Sequence, residues 1–218
     1  MDSKMDKGAD THAYNITENQ TDWDAIDPLA RFAQWLEEAQ QSEPNDPNAA
    51  ALATADAAGT PSVRMVLVKR ADRRGFCFFT NAESRKGTDL AVNPQAALCF
   101  HWKTLRRQVR VTGKVTELPA GEADTYFHTR SRGSQLGAAV SQQSRPLASR
   151  ATLEKELQLF TAEHPAEVPR PPFWRGYSIR AHQIEFWLDG PDRLHNRFLF
   201  THALTDGKDT WKTTRLYP

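Results

Sequence analysis

The stretch Ala49–Asn81, "AAALATADAAGTPSVRMVLVKRADRRGFCFFTN", decides the fold. It holds three short β-prone runs, "AAALATAD", "PSVRMVLVKR" and "GFCFFTN", set apart by the breakers "AAGTP" and "DRRG". Strands that follow one another through such tight connections favour antiparallel pairing over βαβ units. Two more runs, "AALCFHW" and "QVRVTGKVTEL", extend the pattern, and one helical segment from Ala82 to Val92 interrupts it. Past Pro119 come two helical patches, "PAGEADTYFHTRSRGSQLGAAVS" and "SRATLEKELQLFTAEH". The chain then returns to strands in "GYSIRAHQIEFW", "RLHNRFLFTH" and "TWKTTRL", with "DGPD" and "TDGKD" as hairpin turns. The expected class is mostly β with α (α+β): an antiparallel sheet or barrel with peripheral helices.

Upstream, "DPLARFAQWLEEAQQ" predicts a helix, with Asp27 as N-cap and Pro28 at its first position. Leu29, Phe32, Leu36 and Ala39 follow at helical spacing and make one buried stripe. Residues 1–26 are polar and aperiodic and read as a mobile arm, so residues 27–218 form a single domain.

Bulk properties limit the partners. The 218 residues are 39% hydrophobic and 25% charged, with a net charge of +1, an ordinary globular composition. A polyanion-coating protein would carry a basic excess, so nucleic acid is disfavoured and anion binding must be local. No apolar run approaches the ~20 residues of a membrane span. The N-terminus lacks the apolar segment of an export signal. Cys77 and Cys99 sit in strand-like runs and read as buried free thiols, which fits a cytoplasmic location. No Cys/His spacing suggests a metal site.

Four places gather cations. In "RMVLVK", Arg64 and Lys69 bracket an apolar strand and fall on opposite faces; they either solvate its ends or hold a ligand. In "SRK", Arg85 and Lys86 open a helix, where the dipole disfavours cations unless an anion sits among the free backbone N–H groups. A solvated helix start is the plainer reading. Tyr126, Arg130 and Ser134 recur every four residues, one helical stripe of donors matched to a phosphate, or simply a polar face, with Gly133 a candidate helix breaker. Last, in "RLHNRF", Arg193, His195 and Arg197 alternate as on one face of a strand. Flanking cations would bias His195 toward the neutral form, able to accept a proton or orient a ligand hydroxyl. An exposed edge strand kept soluble by charge explains them equally. Trp187 reads as core or as cover for a flat ligand. Neither a glycine-rich phosphate loop nor a serine nucleophile elbow occurs. Side chains must therefore hold any phosphate, and redox chemistry would need an organic cofactor.

At this point the residues resemble a family. "RMVLVK", "FFTNAESRKG", "NPQAALCFHW", "RQVRVTGKV", "YFHTRSRGSQLGAAVSQQS", "PPFWRGY", "IEFW", "RLHNRF" and the terminal "RLYP" fall in the order found in pyridoxamine 5′-phosphate oxidases. The likeness runs from about Asp27 to Pro218. It implies a split β-barrel homodimer with FMN at the subunit interface, oxidising pyridoxamine or pyridoxine 5′-phosphate to pyridoxal 5′-phosphate while O2 becomes H2O2. Carried over by position, FMN would be held by Arg64, the backbone of Met65, Val66, Leu67 and Val68, and by Lys69, Phe79 and Thr80. Arg85, Lys86, Gln108, Gln143, Ser144, Trp187 and Arg197 would complete the flavin site, some from the second subunit. Lys69, Tyr126, Arg130 and Ser134 would meet the substrate phosphate. Arg193 and His195 would lie against the pyridine ring as the catalytic pair.

Two departures stand out. The family's R-x-x-Y segment near the start is missing, since "THAYNIT" offers Tyr14 and no arginine precedes Arg31. Leu188 follows Trp187 where a polar residue or glycine is usual, with little expected effect. Two rivals remain: a related flavin oxidase acting on another substrate such as a phenazine precursor, and a non-catalytic FMN-binding or pyridoxal phosphate-carrying protein.

Overall fold

The computed structural model describes residues 21–205 and 207–218, together with the backbone but not the side chain of Lys208. Nine antiparallel strands form one curled sheet. They are β1 Ala49–Ala55, β2 Pro61–Leu67, β3 Arg70–Asp72, β4 Gly75–Asn81, β5 Gln95–Trp102, β6 Arg107–Glu117, β7 Trp174–Leu188, β8 Asn196–Thr205 and β9 Lys208–Leu216. The main path runs β2-β1-β5-β6-β7-β4-β3, and β8 joins β7 and β9.

The curl comes from β7. Its first half, Trp174–Ile179, pairs with β4, while its second half, Gln183–Leu188, pairs with β8. From Tyr177 to Leu188 it pairs with β6, with a register shift at Thr112/Gly113. Such a bulge sharpens the local twist and bends the sheet on itself, giving a half-barrel.

Alternation sets the core. In β5, Ala96, Leu98, Phe100 and Trp102 point inward; in β6, Val109, Val111 and Val115 do so. Against this face packs helix α1, Pro28–Ser42, capped by Asp27 as expected. Phe32, Trp35 and Ala39 carry its buried face, whereas Leu29 and Leu36 are only partly buried. The stripe is therefore shifted toward Trp35. That tryptophan lies under the buried guanidinium of Arg107, which pairs with Glu38 at 2.6 Å.

Residues 21–26 do not behave as part of an arm. Trp23–Ala25 form a 3-10 turn, and Trp23 stacks flat on Phe198 at 4.1 Å inside the core. The rest of the arm, with Tyr14 and "THAYNIT", lies outside the described residues. Helices α2 Arg85–Val92, α3 Ala120–Thr129, α4 Arg132–Val140 and α5 Arg150–Glu163 complete the chain. A second apolar cluster of Ala123, Phe127, Leu136, Val168 and Trp174 ties α3 and α4 to the start of β7. Cys77 is buried and Cys99 only half-buried; both are free thiols. Among the described residues no helix is long and apolar enough to cross a membrane.

Three expectations change. The strand expected over "RLHNRF" begins only at Asn196, because Asp192 and Arg193 take left-handed backbone (φ 54° and 63°) in the turn after Gly190-Pro191. Arg193, His195 and Arg197 thus do not share a strand face. The Tyr126-Arg130-Ser134 stripe spans two helices. Arg130 ends α3, and Ser131 caps α4 by accepting from the Ser134 N–H, so the break precedes Gly133. Finally, β2 is not a buried strand: Val63, Met65 and Leu67 are 68%, 63% and 39% exposed along the sheet edge.

Candidate active site

A cleft of about 400 Å³ opens between β2, β4, α2 and the α3–α4 junction. Met65, Val66 and Leu67 form one wall, with Lys69 just beyond the strand. Phe79 and Thr80 of β4 and Lys86 of α2 form the second. Tyr126, Arg130, Ser131 and Ser134 form the third, with Gln143 at the rim and Trp174 behind. The broken stripe still converges, because the α3–α4 turn brings both helix ends to one mouth.

Aromatic packing gives the cleft a rigid wall. Phe79 stacks on Tyr126 at 4.2 Å and on Trp174 at 5.3 Å. The Arg130 guanidinium lies over Trp174 at 5.1 Å, and Lys69 Nζ is 5.9 Å from the Tyr126 ring centre. Arg130 Nη1 is buried with no hydrogen-bond partner. Burial also holds the guanidinium below its usual range, against the opposing pull of Tyr126. A buried, unpaired cationic donor is costly, so this geometry asks for an anion.

Lys86 is a second buried cation, hydrogen-bonded but without a counter-charge among its hydrogen-bond partners. It is 7% exposed, with Nζ at 2.6 Å from Gln143 Oε1 and 3.2 Å from Ser84 Oγ. Neither partner carries charge. Burial, and then the charge of Arg64, push its ammonium from 10.5 down to about 8. Between those values the unfolded chain binds the proton and the folded one does not, so this group's contribution to stability rises with pH across that window. Below about 8 the buried ammonium exerts its full cost. The melting temperature of the ligand-free parent relative to a Lys86→Met variant should therefore shift in the parent's favour as pH rises from about 8 to 10.5. A constant difference would contradict the burial argument.

Other expected residues lie apart from this cleft. Arg64 and Arg85 sit behind Lys86, held by side chains of β1, β2 and α2. The Val68 side chain enters the core at 5% exposure. Ser144, with φ 73°, lies in the exposed loop after α4. A separate group assembles across three strands, where Gln108 pairs with Trp187 and Trp187 with Arg197. Trp187 and His195 rings are 4.5 Å apart. Leu188 faces the opposite way, buried at 1%, so its departure from the family pattern leaves this face unchanged.

The cation-flanked picture of His195 also changes. Its Nδ1 lies 3.1 Å from Asp189 Oδ1, and the Gly190 N–H donates to it at 3.2 Å. Arg197 donates through Nε to Glu185 Oε1 at 2.8 Å and through Nη1 to the Tyr217 carbonyl at 2.9 Å. The sequence reading missed Glu185, Ser131 and the cleft-side role of Trp174. Trp174, inside "PPFWRGY", and Ser131, a residue type suited to an N-cap, carried a signal; Glu185 did not.

A larger groove of about 550 Å³ runs between α2 and β7. Its arginine, Arg175, is already paired with Glu117 at 2.9 Å, so it offers no comparable anion site.

Comparison with known proteins places the chain. The sequence profile described as pyridoxamine 5′-phosphate oxidase matches residues 36–162, more than half the chain. The chain belongs to the pyridoxamine 5′-phosphate oxidase family. A second profile, the pyridoxine 5′-phosphate oxidase C-terminal dimerisation region, matches residues 174–218. Pyridoxine/pyridoxamine 5′-phosphate oxidase of Maricaulis maris (strain MCS10) is 56% identical over 96% of this chain and 95% of its own. The protein of that name from Brucella canis is 53% identical over 89% of this chain and 95% of its own. Among solved structures, PhzG from Burkholderia lata 383, in complex with tetrahydrophenazine-1-carboxylic acid, superposes with a TM-score of 0.81. It is 33% identical and covers 88% of this chain and 93% of its own. A pyridoxamine 5′-phosphate oxidase-related, FMN-binding protein from Nostoc punctiforme PCC 73102 shares the fold at TM-score 0.70 and 15% identity, over 89% of this chain and 100% of its own. The family's split barrel is thus the fold of this chain.

Proposed function

We propose that this chain oxidises pyridoxine and pyridoxamine 5′-phosphate to pyridoxal 5′-phosphate, using FMN and reducing O2 to H2O2, as a homodimer whose copies share each active site. The observation that carries the reading is the buried, partnerless Arg130 Nη1 beside Lys69, Tyr126 and Ser134. Four donors converge where a phosphate monoester would satisfy them. A phenazine carboxylate would offer these donors two oxygens and one charge, whereas a phosphate monoester offers three oxygens and a charge of about −1.5 to −2, so the phosphorylated substrate is the better fit.

FMN fits the residues present. Lys86 is a buried cation with only neutral partners. Arg64 and Arg85 stand behind it, and Met65, Val66 and Leu67 line the cleft together with Thr80. Bound FMN supplies the two-electron acceptor that O2 then regenerates. The chain's own part is placement. Arg130, Tyr126 and Ser134 donate to the substrate phosphate, Lys69 adds charge, and the aromatic wall excludes water.

Arg193 and His195 lie outside this cleft, in the turn before β8, within the region matched by the dimerisation profile. The exposed apolar row Val63, Met65 and Leu67 at the cleft's edge supports a second copy docking there. Arg193 of the partner subunit then closes over the substrate ring, and His195 of the partner subunit orients its polar substituents. Free Cys77 and Cys99 fit a reducing cytoplasm.

Adding pyridoxamine 5′-phosphate without oxygen to the flavin-loaded protein should bleach its visible absorption. Air should restore the colour and yield peroxide, and dephosphorylated pyridoxine should do neither at the same concentration. Protein that refuses FMN, or that turns over both substrates equally, overturns the proposal.

A further inference from the structure

Asp89 is a carboxylate set among basic side chains. It lies in α2 and is 2% exposed. Its Oδ1 accepts from Arg85 Nε at 2.9 Å, and its Oδ2 accepts from Thr54 Oγ1 at 2.7 Å. Arg64 Nη2 stands 4.0 Å from the same Oδ2. Thr54 relays between the two, because its Oγ1 also accepts from Arg64 Nη1 at 2.7 Å. Ser62 Oγ and the Leu52 carbonyl pin the rest of Arg64 at 2.7 and 3.2 Å, and Asp56 holds the far end of Arg85 at 3.1 Å.

A negative charge here opposes a phosphate, so its presence needs a cause. Arg64, Arg85 and Lys86 repel one another. Burial lowers the Arg64 guanidinium, Asp89 opposes that, and Arg85 adds to it; Arg64 in turn lowers Lys86. Without a counter-ion, long cationic side chains turn to solvent, and a phosphate must then order them at an entropic cost. Asp89 binds both arginines from the inner side. Three cations against two carboxylates, buried Asp89 and partly exposed Asp56, leave the corner net positive, the sign that suits a phosphate monoester of about −1.5 to −2 at neutral pH.

We propose that Asp89 is a positioning residue for the phosphate end of the flavin, holding Arg64 directly and through Thr54, and Arg85 through its Nε. The inference rests on the flavin reading above. Its signature is selective: an effect that runs through phosphate-binding arginines touches FMN and spares riboflavin, which has no phosphate.

The test strips flavin from the full-length protein and measures FMN and riboflavin affinity by fluorescence quenching. Asp89→Asn should weaken FMN on the order of tenfold, the worth of a charge-assisted hydrogen bond, with riboflavin affinity unchanged. Thr54→Val, which removes the relay alone, should shift FMN in the same sense by less. If Asp89→Asn fails to fold, Thr54→Val decides. FMN binding as tight as the parent's or tighter overturns the inference, since repulsion would then outweigh positioning. Parallel loss of both flavins also overturns it, because the role would be merely structural. A parent protein that takes up neither flavin sinks the flavin reading itself, and this inference with it.

Discussion

Arg130→Ala should raise KM for pyridoxine 5′-phosphate by about a hundredfold and leave kcat within a few-fold of the parent, given charge-assisted hydrogen bonds worth ~1.5–3 kcal/mol. The phosphate lies remote from the carbon that is oxidised, so its contacts are the same in ground and transition states. Lost uniform binding appears in KM rather than kcat. The ligand-free variant should melt no lower than the parent. Arg130 keeps one N–H buried without a partner, and that cost offsets its stacking on Trp174 and Phe127. Steady-state kinetics with the phosphorylated and dephosphorylated substrates, beside a melting curve, check all three. An unchanged KM would show that another group carries the phosphate.

The sheet was largely legible because period-2 runs between breakers leave few alternatives. Helix α1 was equally plain from its Asp27 cap and Pro28. Errors arose where a short pattern imitates a longer one. Arg193, His195 and Arg197 alternate over only five residues, and Gly190-Pro191 with two left-handed residues overrides that alternation. Tyr126, Arg130 and Ser134 keep an interval of four across a helix break, and Ser131, a ready N-cap, was the overlooked signal. The row on β2 is as apolar in sequence as a core strand, and only the sheet topology, which leaves β2 at an edge, shows that Val63, Met65 and Leu67 are exposed. Asp89 and Glu185 were invisible for a different reason. Acidic residues are assigned to solvent by default, and only tertiary contacts reveal that each holds two arginines, Asp89 with Arg64 and Arg85, Glu185 with Arg110 and Arg197.

That division of the arginines leads to the sharpest prediction. Arg130 lines the cleft, and Arg193 sits in the turn before β8, outside it. If one copy's cleft is closed by the other's turn, Arg130→Ala and Arg193→Ala damage opposite halves of each site. Each homodimer is then poor on its own: the first through KM, the second through turnover, with its flavin content retained. In a mixed dimer, one site collects both defects and the other collects neither, because its cleft comes from the Arg193→Ala chain and its turn from the Arg130→Ala chain. With random exchange half the dimers are mixed and each has one intact site, so a twofold-symmetric assembly recovers about one quarter of the parent's activity. Unfolding the two variants together and refolding them with FMN, then assaying at substrate concentrations near the parent's KM, reads this directly. If each active site were built within a single chain, every site in the mixture would carry one lesion and activity would stay at the level of the separate variants.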